Sequence, residues 1–445
     1  MKNFPGQNTT AFIRNRRHRY RAIQDDGEDF NINSDNESNI QSNLNTADDV
    51  GKRKKRKSKK GAKSGMSFSP TFPNIIDFNH PYRQILMAIK TKPFVLMAGM
   101  CGTGKSRFAR TFAYQTCPKY LQEDGQPGNF QMIQVQPDWH DADGILGWLN
   151  TISGHYQWTP FLIFLVKAWR HLDTPFILCL DEMNLAKVEL YFANFLSILE
   201  SRQWINGELV SDAFITPEKM KYYAERDPDI WVRLGIKIDI ELQNRFLKNG
   251  IMLPPNLAVI GTANIDLSGE MFSMKLLDRM MVIELTEIDF YGGIKSDDVD
   301  FKFPEVPIKI DQVLGKILNG KDAYLLFPKI GDLIISELQS IDKILTGSSI
   351  RFGYRVRDAA LTYCAYNSQL ADYPKDNEAV YRCLDELLLM KVLPRINVDR
   401  KAQEKLIANL LRFAKDKYPR TYLRIQFMLD DLSEFSYFIS FWQRS

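Results

Sequence analysis

The sequence predicts an α/β fold: a core built on a parallel sheet flanked by helices, followed by an α-helical region and preceded by a basic tail. Three observations carry this. The runs "PFVLMAG" (93–99), "PFILCLDEMN" (175–184) and "NLAVIGTAN" (256–264) are short, continuously apolar and end in glycine or polar residues, as strands buried in a parallel sheet do. Beyond about residue 288 the spacing turns helical, as in "DQVLGKILNGKDAYLLFPKIGDLIISELQSIDKIL" and "EAVYRCLDELLLMKVLPRI". Residues 1–70, by contrast, hold fifteen Lys or Arg against eight Asp or Glu and are poorer in apolar side chains than the rest. The expected divisions are 1–70, 71–288 and 289–445.

In the tail, "RNRRHRYR" (14–21) and "KRKKRKSKK" (52–60) flank an Asn-, Ser- and Asp-rich stretch. Such a segment buries too little surface to offset its chain entropy, so it is expected to be disordered. Its charge of about +7, against about −3 for the rest of a chain of net +4, suits contact with nucleic acid; a solubilising tail is the plainer alternative.

In "AGMCGTGKSRF" (98–108) the first strand runs into Gly99, four residues, then Gly104, Lys105 and Ser106, the G-x-x-x-x-G-K-[ST] pattern of a phosphate-binding P-loop. Gly99, Gly102, Thr103 and Gly104 form a loop whose glycines let backbone N–H groups point inward at phosphate oxygens. Lys105 reaches the β and γ phosphates, and the Ser106 hydroxyl ligates Mg2+. The helix that follows points its positive end at the same phosphates.

The second strand ends in Asp181 and Glu182. Asp181 can hold magnesium through its water shell and Glu182 can polarise an attacking water, although "DE" also suits the start of a helix. Asn264, at the tip of a strand lying between the other two, could orient that water, or simply form a turn. In "MKLLDRMMVIEL" (274–285), Arg279 ends a short helix before another apolar strand. From there it can point into a neighbouring subunit's nucleotide, or pair with Asp278 or Glu284.

Together these motifs resemble the AAA+ class of P-loop NTPases, and within it the McrB family, the motor subunits of modification-dependent restriction systems. The resemblance spans about residues 75–400. It rests on "VQPDWHDADGILGWLN" (135–150), "LDEMNLAKVELYFANFLSILE" (180–200), "VIGTANIDLS" (259–268), "IRFGYRVRDAAL" (350–361) and "KVLPRI" (391–396) in that order. It implies that Asp181 and Glu182 are the Walker B pair, Asn264 the first sensor and Arg279 the arginine finger. It also implies that Arg355 is a second sensor, reaching the γ phosphate from a helical lid. The family often has paired arginines where this chain has Asp278, Arg279 and Met280. Its best-known members also carry a folded N-terminal reader domain, where this chain has only the basic tail.

The resemblance implies a hexameric ring that hydrolyses ATP, with GTP also open, and moves along DNA through tail and channel while a separate McrC-like nuclease subunit cuts. A MoxR-like protein remodeller and a nucleotide-dependent DNA-binding switch without turnover are the alternatives. Trp139 and Trp148 either grip a strand or peptide in the channel or belong to the core. Residues 201–250 are longer than a connection needs and suggest an extra hairpin or helix. The aromatic C-terminal segment either packs on the lid or docks a partner.

Composition narrows the rest. The five histidines are dispersed, so no nuclease cluster is expected. The five cysteines are scattered without metal-ligand spacing, which suits a reducing, cytoplasmic setting without disulfides or zinc. No run approaches the roughly eighteen apolar residues of a membrane span.

Overall fold

A computed structural model of the chain describes residues 77–80, 82–265, 272–285, 301–317, 319–374, 376–430 and 437–442. The expectations placed on the 1–70 tail lie outside the described residues. Five strands form one parallel sheet: β1 (Phe94–Gly99), β2 (Phe130–Gln134), β3 (Phe176–Asp181), β4 (Leu257–Asn264) and β5 (Met281–Leu285). Their order is β5-β1-β4-β3-β2. β4 therefore lies between β1 and β3, as expected of the strand that ends in Asn264. β1, β3 and β4 are buried along their length except for the final Asp181 and Asn264, which explains their unbroken apolar runs. β2 is different. It is a half-exposed edge strand, "FQMIQ", whose polar residues interrupt the apolar run that marked the others.

All strands point the same way, so their C-terminal tips share one end of the sheet. Gly99 sits opposite both Asn264 and Leu285, and Gln134 opposite Asp181. Helices α1 (Arg83–Thr91), α2 (Lys105–Thr116), α3 (Pro160–Arg170) and α4 (Ala193–Glu200) flank this sheet. The start of α3 is legible: Thr159 Oγ1 accepts from Leu162 N at 3.4 Å, and Pro160 takes the first helical position. The 201–250 stretch contains both features expected of it. A hairpin pairs Gln203–Ile205 with Glu208–Val210 through an Asn206–Gly207 turn, and helices follow, the longer ones being α5 (Pro217–Arg226) and α6 (Ile240–Asn249).

The C-terminal region is helical: α7 (Pro328–Leu345), α8 (Tyr354–Ser368), α9 (Asn377–Lys391), α10 (Arg400–Ala414) and α11 (Pro419–Asp430). It docks on the core through α8 against α1 and α9 against β5. A buried polar network fastens the first of these contacts. Arg83 pairs with Glu386, both 2% exposed, and donates to Asn367 Oδ1, while Tyr363 Oη donates to Glu386 Oε2 at 2.7 Å. The aromatic C-terminal segment packs in part, while Leu423, Phe427, Tyr437 and Phe438 stay exposed. Phe438–Ser440 pairs with Asn397–Asp399, Ile439 and Phe441 are buried, and Trp442 Nε1 donates to Pro394 O at 2.8 Å. Among the described residues no helix is long and apolar enough to cross a membrane.

Candidate nucleotide site and the opposite end of the sheet

The P-loop leaves β1 at Gly99 and re-enters regular structure at Lys105, the first residue of α2. Gly102 and Gly104 have φ of 81° and 82°, left-handed values that side chains resist and that turn the loop's amides toward one concavity. Thr103 Oγ1 and Lys105 Nζ donate to Met100 O at 2.9 and 2.7 Å, and Lys105 reaches Gly99 O at 3.1 Å. The ammonium thus lies along the loop's own carbonyls, at the mouth of the helix whose free N–H groups favour an anion.

Ser106 Oγ donates to Asp181 Oδ1 at 2.5 Å, which brings together the two side chains expected to serve magnesium. A hydroxyl beside a carboxylate, next to a loop that binds phosphate, is an oxygen donor set suited to that hard cation. Thr262 is a functional residue missing from the sequence expectations. Its Oγ1 donates to Asp181 Oδ1 at 2.8 Å and accepts from Glu182 N at 2.9 Å, so one hydroxyl fixes both acidic residues. The available signal was alternation: Thr262 stands two residues before Asn264, on the same face of β4. Glu182 itself is left-handed, with φ 51° and ψ 48°. Asn264 is the half-buried tip of β4, directly across from Gly99. The loop, Ser106, Asp181, Glu182 and Asn264 therefore all gather at the C-terminal end of the sheet.

The two arginines do not join them. Arg279 precedes β5, whose Met281 stands opposite Val95, so it lies level with the start of β1. At about 3.3 Å per residue the P-loop is roughly 20 Å further along the strands. Arg279 Nη1 donates to Lys275 O at 3.0 Å; its Nε is buried without a hydrogen bond, 3.7 Å from Glu200 Oε1. Its plainer partners are taken. Asp278 is paired with Arg395, and Glu284 with Arg424 at 2.7 Å.

Arg355, expected to reach a γ phosphate from the helical lid, lies away from the P-loop of this chain: its Nε and Nη2 are both 2.8 Å from Glu200 Oε2, and Nη1 is 3.9 Å from Asp278 Oδ2. The helical region docks on α1 and β5, which carries Arg355 to the far end of the sheet beside Arg279. Lys92, Arg202, Lys391 and Arg395 crowd the same two carboxylates, Glu200 and Asp278. Burial, with Glu200 and Tyr366 opposing it, brings the Arg202 guanidinium down to about 10. Burial beside Lys92 and Arg395 pushes Lys391 well below the usual lysine range, against Asp278 and Glu200. The four arginines alone, Arg202, Arg279, Arg355 and Arg395, outnumber these two carboxylates, so this end is suited to receive a negative group.

The two tryptophans differ in burial. Trp139 packs against the core with its ring 5.4 Å from that of Tyr191, while Trp148 is 51% exposed.

Residues 94–280 match the family described as AAA domain (dynein-related subfamily), and residues 308–437 match a domain of unknown function, DUF8727. No curated protein matches the chain. A solved structure from Cytophaga hutchinsonii, described only as a candidate ATPase, is 14% identical with a TM-score of 0.41, over 76% of this chain and 90% of that one. Residues 94–280 are thus similar to an AAA domain, and the second match falls in the helical region that follows them.

Proposed function

We propose that this chain, built on an AAA-type domain at 94–280, is a ring-forming nucleoside triphosphatase whose catalytic site is completed by a neighbouring protomer. One observation carries the reading: Arg279 and Arg355 converge on Glu200 at the end of the sheet opposite their own P-loop. An arginine that neutralises charge in phosphoryl transfer touches the transferring group, so these two act on another protomer's nucleotide. The surfaces that meet are different ones, a head-to-tail contact that closes into a ring, a hexamer by resemblance to its class.

Within one protomer, Lys105 and the loop amides bind the phosphates; Ser106 and Asp181 would hold Mg2+, which would supply charge neutralisation at the phosphate oxygens. Glu182 accepts the proton of the attacking water, Asn264 orients that water, and Thr262 fixes Glu182 against Asp181. ATP is the favoured nucleotide, with GTP open.

For the cargo, the tail's basic clusters support DNA, with cutting left to a separate McrC-like nuclease subunit as in the McrB family. A second reading, a MoxR-like remodeller of protein, is favoured by the charge of the segment bearing Trp148. No Lys or Arg occurs between Lys119 and Lys167, and Asp138, Asp141 and Asp143 are exposed there. A channel loop that tracks a nucleic-acid backbone needs cations.

Steady-state phosphate release with ATP and with GTP, with and without DNA, over a range of protein concentrations, tests the reading. Turnover that rises cooperatively with protein is expected. A rise with DNA selects the DNA motor, and indifference to DNA selects the remodeller. Nucleotide binding without turnover under any condition overturns both, in favour of a switch.

A further inference from the structure

The block "KVLPRI" (391–396) lies in the domain of unknown function, and both of its cations turn toward the segment that carries Arg279. Lys391 is 1% exposed. Its ammonium donates to Leu277 O at 2.5 Å, Asp278 O at 3.0 Å and Met280 O at 2.7 Å. A lysine has three protons to donate, and all three are placed on one turn of backbone. Arg395 completes the hold: its Nε donates to Lys391 O at 2.9 Å and its Nη2 pairs with the Asp278 carboxylate.

The clamped carbonyls follow the short helix Met274–Leu277, whose last C=O groups lack partners within the helix. Capping them alone would make Lys391 a stabilising residue. What Arg279 does with its own bonds argues for more. Its backbone N donates to Leu276 O at 2.8 Å and its Nη1 to Lys275 O at 3.0 Å, both within the same turn. Its Nε has no acceptor. Apart from Glu200, 3.7 Å from its Nε, Arg279 bonds only to the backbone just before the turn that Lys391 and Arg395 grip, so that turn sets where the side chain leaves the main chain.

We infer that Lys391 and Arg395 are positioning residues for Arg279, locking the 277–280 turn so that the arginine meets the neighbouring protomer's nucleotide. The domain of unknown function thereby takes part in the NTPase reaction. This inference rests on the trans reading above, and subunit mixing separates the two.

In full-length protein, Lys105→Ala disables a protomer's own P-loop but leaves its arginine intact; Arg279→Ala does the reverse. An equal mixture of these two recovers about a quarter of wild-type turnover if sites form between protomers, since about that share of junctions is intact. Lys391→Met alone is expected to lower turnover about 10²-fold, the cost of a misplaced catalytic group, with unchanged affinity for a fluorescent ATP analogue. Mixed with Lys105→Ala, it is expected to recover as Arg279→Ala does. Recovery of the Arg279→Ala mixture without recovery of the Lys391→Met mixture overturns the positioning role alone, as does full turnover by Lys391→Met on its own. Recovery of neither mixture overturns the trans reading and this inference with it. If Lys391→Met does not fold, Arg395→Gln is read in the same mixtures by the same outcomes.

Discussion

At the C-terminal tips of the strands, Thr103 and Lys105 bond to carbonyls of their own loop, three to six residues away. At the N-terminal ends of the same strands, Arg355, Lys391 and Arg395 bond to groups 111 to 155 residues away. Contacts of the first kind are cheap to exchange, so a phosphate can take over from Met100 O without disturbing the fold. Contacts of the second kind join the AAA-type domain to the helical region, and breaking one is felt across both. The site end receives a ligand; the arginine end is a preset surface held by tertiary structure.

Four substitutions press on this contrast, from the largest effect down. Arg279→Ala should cut turnover by about 10³-fold or more at every protein concentration, while a fluorescent nucleotide binds as before. Loss of binding together with turnover would place Arg279 in its own site and dissolve the division between the ends. Glu182→Gln should cost about 10³-fold in turnover with binding intact, measured by phosphate release. Unchanged turnover would remove Glu182 from the chemistry. Glu386→Gln, which leaves Arg83 buried without its counter-charge, should lower the unfolding free energy by about 3 kcal/mol in denaturant titration. A shift near zero would mean that the helical region is held to α1 by packing alone. Thr262→Val should slow turnover about tenfold, the worth of a hydrogen bond to a charged group, with little change in melting temperature.

The same contrast explains what could be read from the sequence. The P-loop, Asp181, Glu182 and Asn264 follow strands whose apolar runs are continuous, so local pattern located them, and the structure brings them together. β2 escaped because an edge strand has no such run. Thr262 escaped because a threonine inside a strand announces nothing until its hydroxyl is seen between two acids. Arg355 could be found but not placed: its position depends on where the helical region docks, which α1 and β5 decide from far away in sequence. "KVLPRI" stood out as a block, yet its cations acquire meaning only beside the turn at 277–280.

The left-handed backbone of Glu182, at φ 51°, has a consequence for engineering. A side-chain-bearing residue in that region costs on the order of 1 kcal/mol that glycine does not incur. Glu182→Gly is thus expected to be the rare active-site change that melts later than the parent while hydrolysing nothing, and a melting temperature at or below the parent's would refute it. Selection for thermal resilience alone would drift toward that inert form, so any stabilised variant of this protein needs a turnover screen beside its melting curve.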